Sequence, residues 1–142
     1  MYKVSIVLAE HAVAVWPKAL PFLQAVEDVA HDRASCAQAL DRILKGECLL
    51  WLAYREDDLT VVGAMVTRLS QYTQHRSLTV EMLGGDDFEE WIDLAQEAFE
   101  IFAKANECKS IELIGRFGWI RKLKRLGWEP LFVTCEKLLD NS

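Results

Sequence analysis

The sequence predicts an α+β domain with a mixed, mostly antiparallel central sheet that is covered by helices on both faces. Three observations support this fold class: a first strand is followed by two helix-like stretches, a hairpin pattern occupies the middle of the chain, and a helix–strand–helix–strand pattern closes it. No repeat, low-complexity tract or linker divides residues 1–142, so a single domain is expected. The predicted order is β-α-α-β-β-β-α-β-α-β.

The chain is predicted to begin with a strand and a helix. Apolar side chains alternate over residues 2–8, as they do in a half-buried strand. A helix is expected from about residue 12 to residue 30, with irregular or kinked first turns because Pro17 and Pro21 interrupt it.

A shorter helix and a β-hairpin follow. Ser35 is the predicted N-cap of this helix and Gly46 its end, because a Ser side chain accepts from free N–H groups and Gly readily adopts the left-handed conformation. Residues 48–54 and 59–69 have strand composition, and the polar residues 55–58 between them are predicted to turn.

The second half of the chain is predicted to hold a strand at residues 78–83 and a long helix at about 88–105. A strand at 111–114, a basic amphipathic helix that ends at Gly127 and a last strand at 131–138 complete the pattern. One stripe of the long helix is expected to be largely buried, because its members recur at spacings of three and four. The stripe consists of Trp91, Leu94, Ala95, Ala98 and Phe102.

Composition supports a packed core and argues against several classes of protein. Of the 142 residues, 51% are hydrophobic, and a net charge of -6 argues against general nucleic-acid binding, which needs a cationic surface. No apolar run reaches the roughly 20 residues of a membrane span, and the N-terminus has no signal-peptide layout. The four cysteines lack C-x-x-C spacing and the three histidines are scattered, so no metal site is predicted. Reduced, buried thiols of a cytoplasmic protein are the simpler interpretation.

The residues that decorate these elements resemble the GNAT (Gcn5-related N-acetyltransferase) fold, and in particular the divergent GNAT-like proteins encoded by tailed bacteriophages and prophages. The resembling segments are Val15–Pro17, Cys48–Ala53, Val62–Thr67, Leu83–Gly85, the Trp91 helix, Asn106–Lys109, Gly115–Arg121 and Leu126–Trp128. The resemblance implies that acetyl-CoA binds where two neighbouring strands splay and that its acetyl group is transferred to an amine. It also implies a pyrophosphate site at the start of the helix after the fourth strand, in a loop of the form Arg/Gln-x-x-Gly-x-Gly/Ala.

The corresponding stretch of this chain departs from that loop. The backbone of Leu83, Gly84 and Gly85 is the candidate cofactor-binding and carbonyl-polarising segment, and the two glycines are expected to form a tight turn. The basic residue and the later glycines of the family loop are absent, and acidic residues take their place: Asp86, Asp87, Glu89 and Glu90. Each like-charge encounter costs on the order of 1 kcal/mol near a surface, so weak or absent acetyl-CoA binding is expected. An acid-capped helix start is the simpler interpretation.

Candidate catalytic residues are few. The family's usual proton-donating Tyr aligns with Leu123, which cannot donate a proton. Glu81 is a candidate general base, because Leu78, Val80 and Met82 are expected on one face of their strand and Thr79 and Glu81 on the other. The alternative for Glu81 is an ion pair with Lys or Arg of a neighbouring element.

The last helix suggests a cleft for a ligand or partner. Arg116 opens it directly after a strand, where a planar and always charged donor suits a carboxylate or phosphate. Trp119, one turn later, is expected to line that cleft or to anchor the helix to the sheet. Outward-facing basic residues leave two interpretations open: a solvated face, or a surface for an acidic partner, a phosphate-bearing ligand or another copy of the chain. These residues are Arg121, Lys122, Lys124 and Arg125.

Two functions therefore stand against each other. One is a GNAT-fold protein that has lost catalysis and acts as a binding component, in the phage setting a virion-associated or host-modulating protein. The other is an acetyl-CoA-dependent N-acetyltransferase that acts on a primary amine. The first is favoured by the acidic loop and by the missing Tyr. The expected location is the bacterial cytoplasm or the virion, the partner is an unidentified protein, and self-association stays open.

Overall fold

Five strands form one sheet in the order β1-β2-β3-β4-β5, in a computed structural model that describes residues 1–115 and 117–139. The elements, in chain order, are β1 (Tyr2–Val7), α1 (Ala9–Glu27), α2 (Cys36–Leu44), β2 (Leu49–Arg55), β3 (Val61–Gln71), β4 (Arg76–Gly85), α3 (Phe88–Ala105), β5 (Ser110–Leu113) and α4 (Phe117–Leu123), which a short 3-10 turn (Lys124–Leu126) extends. The first four strands pair antiparallel and β5 pairs parallel to β4. The predicted fold class, a mixed and mostly antiparallel sheet between helices, is confirmed.

The two faces of the sheet bury separate apolar cores. The α3-side core lies between the sheet and α3 with α4, and it includes Trp51, Met65, Leu78, Val80, Leu83, Phe88, Trp91, Ile92, Phe99 and Leu123. The α1-side core lies between the sheet and α1 with α2, and it includes Ala19, Leu23, Ile43, Leu50, Leu52, Val66 and Met82. No helix of the described ranges is long and apolar enough to cross a membrane.

Local signals placed most element ends correctly. Ser35 caps α2, with its side-chain oxygen accepting a hydrogen bond from the Gln38 amide at 3.3 Å. Gly46 and Gly127 follow α2 and the last helical turn in the left-handed conformation, with φ of 80° and 92°. The first helix is a continuous α1 that contains both Pro17 and Pro21 and starts earlier than predicted, at Ala9. The helix continues through both prolines because α1 packs against β2, β3 and β4, and such tertiary packing supplies most of the stability of a helix in a protein.

The long helix α3 has the predicted bounds, but one of its predicted core positions is wrong. Leu94 is 39% exposed, whereas the buried residues are Phe88, Trp91, Ile92, Ala95, Phe99 and Ala103. Ala98 and Phe102 are partly buried and pack against the α3-side core. The buried stripe is rotated from the predicted one because Phe88 and Phe99, not Leu94, lie on the side that meets the sheet.

The predicted last strand at residues 131–138 does not form. Residues 128–139 have no regular secondary structure, and Leu131, Phe132 and Leu138 are 78%, 82% and 83% exposed. A strand pattern indicates the conformation that a segment prefers, but a strand also needs a partner for its backbone hydrogen bonds. None of the five strands in the described part of the chain pairs with this segment.

Candidate functional site

The two parallel strands separate halfway along β4. Their pairing runs from Ser77 with Ser110 to Val80 with Leu113, where β5 ends. On its other side β4 stays paired with β3 as far as Gly85. Within the described residues, the β5-side edge of residues 81–85 therefore has no strand partner. We call the opening between this edge and the β5–α4 connection the β4–β5 cleft.

A β-bulge at Glu81 marks the start of the cleft. Val66 pairs with Met82 and Thr67 with Val80, so Glu81 is an extra residue of β4. The bulge changes which face the following side chains occupy: Val80 belongs to the α3-side core and Met82 to the α1-side core. The prediction that Leu78, Val80 and Met82 share one face is therefore wrong, because strict alternation does not survive an inserted residue.

Arginines of two neighbouring elements hold the Glu81 carboxylate. Arg42 of α2 donates to it through Nη1 at 2.9 Å and Nη2 at 3.2 Å, and Arg68 of β3 donates through Nε. The hydrogen bond to Glu81 raises the pKa of Arg42. Burial, followed by the charge of Glu81, raises the pKa of the Cys48 thiol, whose sulfur lies 4.0 Å from the carboxylate. This is the ion-paired arrangement that the sequence left as the alternative, and a substrate ammonium would have to compete with two guanidinium groups for the same oxygens.

A chain of hydroxyl and carboxyl groups continues from Arg68 across the sheet. Arg68 Nη1 donates to Ser70 Oγ at 2.5 Å, and the Ser70 and Thr79 hydroxyls lie 2.6 Å apart. Thr79 donates to Glu112 at 2.7 Å, and the phenol of Tyr72 donates to the same carboxylate oxygen. This last bond raises the pKa of Tyr72. Sequence reasoning missed this network because Tyr72, in the turn between β3 and β4, and Glu112, on β5, are far apart in the sequence and no local pattern connects them.

The predicted glycine turn is wrong, since Gly84 and Gly85 are the last residues of β4 and pair with Ala64 and Gly63. Both are needed for close packing. A Cβ on Gly84 would lie 2.5 Å from the carbonyl oxygen of Phe22, and one on Gly85 would lie 2.9 Å from the indole of Trp91. The neighbouring Leu83 side chain is buried in the α3-side core. Leu83, Gly84 and Gly85 do lie along the cleft edge, but cofactor binding by their backbone stays a prediction.

Only Asp86 and Asp87 connect β4 to α3. Asp87 is the N-cap residue, has a left-handed φ of 54° and makes no side-chain capping bond. Its carboxylate instead accepts from the Tyr2 hydroxyl at 3.1 Å and lies 3.5 Å from Arg55 Nη2. Two exposed acids, Glu89 and Glu90, occupy the first turn of α3 and already complement its positive dipole end.

Trp119 joins α4 to the start of α3. Its ring makes an edge-to-face contact with Phe88, with centroids 4.6 Å apart, and the Lys122 ammonium lies 5.3 Å from the Trp119 centroid. Gly115 permits this approach, because a Cβ there would lie 2.8 Å from the indole. Trp119 therefore anchors α4 to α3, whereas the predicted anchor was to the sheet, and its role in a ligand or partner cleft stays a prediction. Arg116, the other predicted cleft residue, lies outside the described residues.

No family model matches the chain, and no curated protein matches it either. Solved structures do match over nearly the whole chain. A probable acetyltransferase has a TM-score of 0.70 at 13% identity, covering 99% of this chain and 98% of its own. A ribosomal-protein-alanine N-acetyltransferase from Brucella melitensis biovar Abortus 2308 has a TM-score of 0.68 at 14% identity, covering 99% and 100%. Glucosamine-6-phosphate N-acetyltransferase from Arabidopsis thaliana has a TM-score of 0.66 at 10% identity, covering 99% of both chains.

This chain has the GNAT acetyltransferase fold. At such low identity the likeness concerns the fold alone, so activity has to be argued from the site. The similarity to phage-encoded GNAT-like proteins is not tested by these neighbours and stays a prediction. In the GNAT frame, the β4–β5 cleft is where the resemblance places acetyl-CoA, and the Asp86–Asp87 connection is where it places the pyrophosphate. In the described part of the chain, no group of three or more His, Cys, Asp and Glu side chains is arranged to hold a metal ion.

Proposed function

We propose that this chain is a GNAT-fold binding protein whose acetyl-CoA site has degenerated, and that it acts on a protein partner of the virion or the host rather than as a working acetyltransferase. The observation that carries the proposal is the connection between β4 and α3. Two acidic residues make up the whole connection, which leaves no room for the basic, glycine-rich loop that the GNAT resemblance implies.

The charges at this connection disfavour the binding of a pyrophosphate. The start of α3 offers the positive end of its dipole, but Asp87 and two exposed glutamates already lie there. Arg55, the cation within reach of Asp87, is engaged with that carboxylate. A bound pyrophosphate would meet several like charges, each costing on the order of 1 kcal/mol near the surface.

Apolar packing beside the cleft disfavours the binding of the pantetheine arm of the cofactor. The α3 side of the splayed strands is filled by apolar side chains of one core: Leu83, Phe88, Trp119 and Leu123. The contact between Phe88 and Trp119 bridges the two helices that flank the cleft. A pantetheine arm entering from this side would have to separate them, at the cost of apolar burial.

Two exposed features suit a protein partner. The basic residues of α4 form a solvent-facing group beside the cleft, which fits an acidic surface. The segment at residues 128–139 presents large apolar side chains, and exposed apolar groups of this kind are typical of interaction sites. The chain has a net charge of -6, yet several of its cations lie together on one short helix. Such an uneven charge distribution can orient an acidic partner as it approaches.

The alternative is an acetyl-CoA-dependent N-acetyltransferase that transfers acetyl to a primary amine. Two observations favour it: β4 keeps an edge in the cleft without a strand partner among the described residues, and the three similar structures named above are two acetyltransferases and one probable acetyltransferase. In that case the edge at Leu83–Gly85 would receive the thioester, and Glu81 would have to release an arginine before it accepted a proton.

Calorimetric titration with acetyl-CoA separates the two functions. We expect the unmodified chain to bind more weakly than about 100 µM, and we expect the double variant Asp86→Asn, Asp87→Asn to bind more tightly because repulsion is removed. The variant Asp93→Asn, Glu97→Gln changes the net charge by the same amount farther along α3 and serves as the control. Micromolar or tighter binding by the unmodified chain would overturn the proposal and support the acetyltransferase.

A further inference from the structure

The edge strand β1 is unusually unprotected. It pairs with β2 over residues 2–7 without a bulge, contains no Pro and carries one charged residue, Lys3. Edge strands of monomeric proteins are normally short, bulged, charged or covered, because a regular free edge pairs readily with another strand. The opposite edge strand, β5, has only four residues. Within the described residues, β1 is thus the longer and more regular free edge.

An apolar groove runs beside this edge on the α3 side. The groove has a volume of about 490 Å³ and lies between β1 and the second half of α3, and Trp51 is among the residues that line it. Ile6 of β1 and Ile101 of α3 line it and are 38% and 65% exposed. Leu94, 39% exposed, recurs with the partly buried Ala98 and with the exposed Ile101 and Ala105 at helical spacing, so α3 has a second apolar stripe at the edge of its core-facing side.

The geometry points to a second copy of this chain as the partner that covers β1 and the groove, in a two-fold dimer with a continuous ten-stranded sheet. A two-fold axis beside β1 places the two β1 strands antiparallel, and each free edge supplies the donors and acceptors that the other lacks. The same axis brings the two α3 stripes together on one face of the sheet. One two-fold rotation therefore both pairs the free edge of β1 and covers the apolar groove. This inference does not depend on what the β4–β5 cleft binds.

The side chains of β1 are compatible with this pairing. Tyr2 and Val4 pack in the α3-side core and Val7 in the α1-side core, so the strand alternates regularly. Opposite residues of an antiparallel pair share a face, so the axis must pass through a residue position. Pairing along most of residues 2–7 then centres the axis on Val4 or on Ser5. Lys3 then lies opposite Ser5 or Val7 of the copy, never opposite the other Lys3. The pairing therefore brings no like charges together, which is the charge pattern expected of a self-complementary edge.

Sedimentation equilibrium over about 10 to 100 µM tests the dimer, because self-association depends on concentration. We expect the unmodified chain to be dimeric and Ile101→Lys to be monomeric with an unchanged far-UV circular dichroism spectrum. Leu44→Lys, at an exposed leucine of α2 (47%), is the matched control and should remain dimeric. Leu138→Lys, in the exposed C-terminal segment, should also remain dimeric. A monomer at every concentration, or a dimer lost with Leu138→Lys but kept with Ile101→Lys, overturns the inference.

Disulfide cross-linking tests the axis itself. Residues paired across an antiparallel interface have Cα atoms about 4.5–5.5 Å apart, within the range that a disulfide bridges. In a Cys135→Ser background, which removes the exposed thiol, either Val4→Cys or Ser5→Cys should give a covalent dimer under mild oxidation. The background without an added cysteine is the control. A dimer that cross-links at neither position places the interface elsewhere and overturns the inference.

Discussion

Arg42 of α2 donates a hydrogen bond to Glu81 of β4 from each of its terminal nitrogens, at 2.9 and 3.2 Å. These bonds link the helices on the α1 side to the β-bulge at which the cleft opens. The Glu81 side chain is 18% exposed, and the arginines on it are about a third exposed. Glu81→Gln would leave two guanidinium groups facing each other without their counter-charge. We expect a loss of about 1 to 2 kcal/mol in the free energy of unfolding, below the cost at a fully buried pair because solvent screens the arginines.

Urea denaturation measures this loss, and Glu47→Gln, an exposed carboxylate just after α2, is the control that should change stability by less than about 0.5 kcal/mol. A Glu81→Gln variant as stable as the unmodified chain would show that the arginine contacts do not support the fold. Glu81 would then again be a candidate general base.

Glycine substitutions at the end of β4 should be costly. Gly84→Ala places a Cβ 2.5 Å from the Phe22 carbonyl oxygen, and that backbone atom cannot move aside as a flexible side chain can. We expect a loss of about 1 to 3 kcal/mol from overpacking. Gly118→Ala, in α4 with nothing within 4 Å of its added Cβ, should instead stabilise by about 0.5 to 1 kcal/mol. Equal effects of the two substitutions on thermal unfolding would contradict the packing role of Gly84.

Trp119→Ala should destabilise the anchor between α4 and α3. The indole is only partly buried, so we expect about 2 kcal/mol rather than the 3 kcal/mol or more of a fully buried Trp. Trp119→Phe keeps an aromatic ring against Phe88 and should lose less than about 1 kcal/mol. Guanidinium denaturation compares the two variants, and indistinguishable losses would mean that the ring contact is not what stabilises α4.

Thiol labelling should distinguish the cysteines. Burial, with a smaller effect from the charge of Glu27, raises the pKa of Cys36 to about 11, and burial also raises the pKa of Cys48 and Cys108. Because the thiolate is the reactive form, these three should react slowly or not at all at about pH 8. Cys135 is exposed and should account for the fast phase, which Cys135→Ser removes. Rapid modification of Cys36 or Cys48, located by mass spectrometry, would contradict their burial.

The C-terminal segment should detach at low pH. Glu136 accepts hydrogen bonds from His31 Nδ1 at 3.0 Å and from Arg33 at 3.1 Å. The bond from His31, followed by the bond from Arg33, holds the pKa of Glu136 below its usual value. A carboxyl with a lowered folded-state pKa stabilises the contact above its ordinary pKa and loses that contribution as pH falls through the lowered value. Carboxyl NMR shifts should follow this loss as the pH falls below the ordinary glutamate pKa of about 4.3, and Glu136→Gln should weaken the contact already at neutral pH. A contact that persists unchanged after the NMR shifts show the Glu136 carboxyl to be protonated would contradict the role of the carboxylate.

Local chemistry by itself determined the order and most bounds of the elements. The Ser35 side chain, the glycines at positions 46 and 127, and the apolar spacing of residues 88–105 act through neighbouring backbone and through helical periodicity. These forces operate within a few residues, so a single sequence contains them. They were sufficient for the fold class, and through the resemblance for the GNAT fold.

Tertiary structure alone decided the site. The bulge at Glu81 comes from the register between β3 and β4, and it moved Met82 to the other face. The two arginines on Glu81, and the bond between Tyr72 and Glu112, join residues that no local spacing relates. The segment at 131–138 has the composition of a strand but finds no partner strand in the described part of the chain. Pairing between distant segments depends on the free energy of the whole packed chain, and a residue pattern read along the sequence contains only the local part of it.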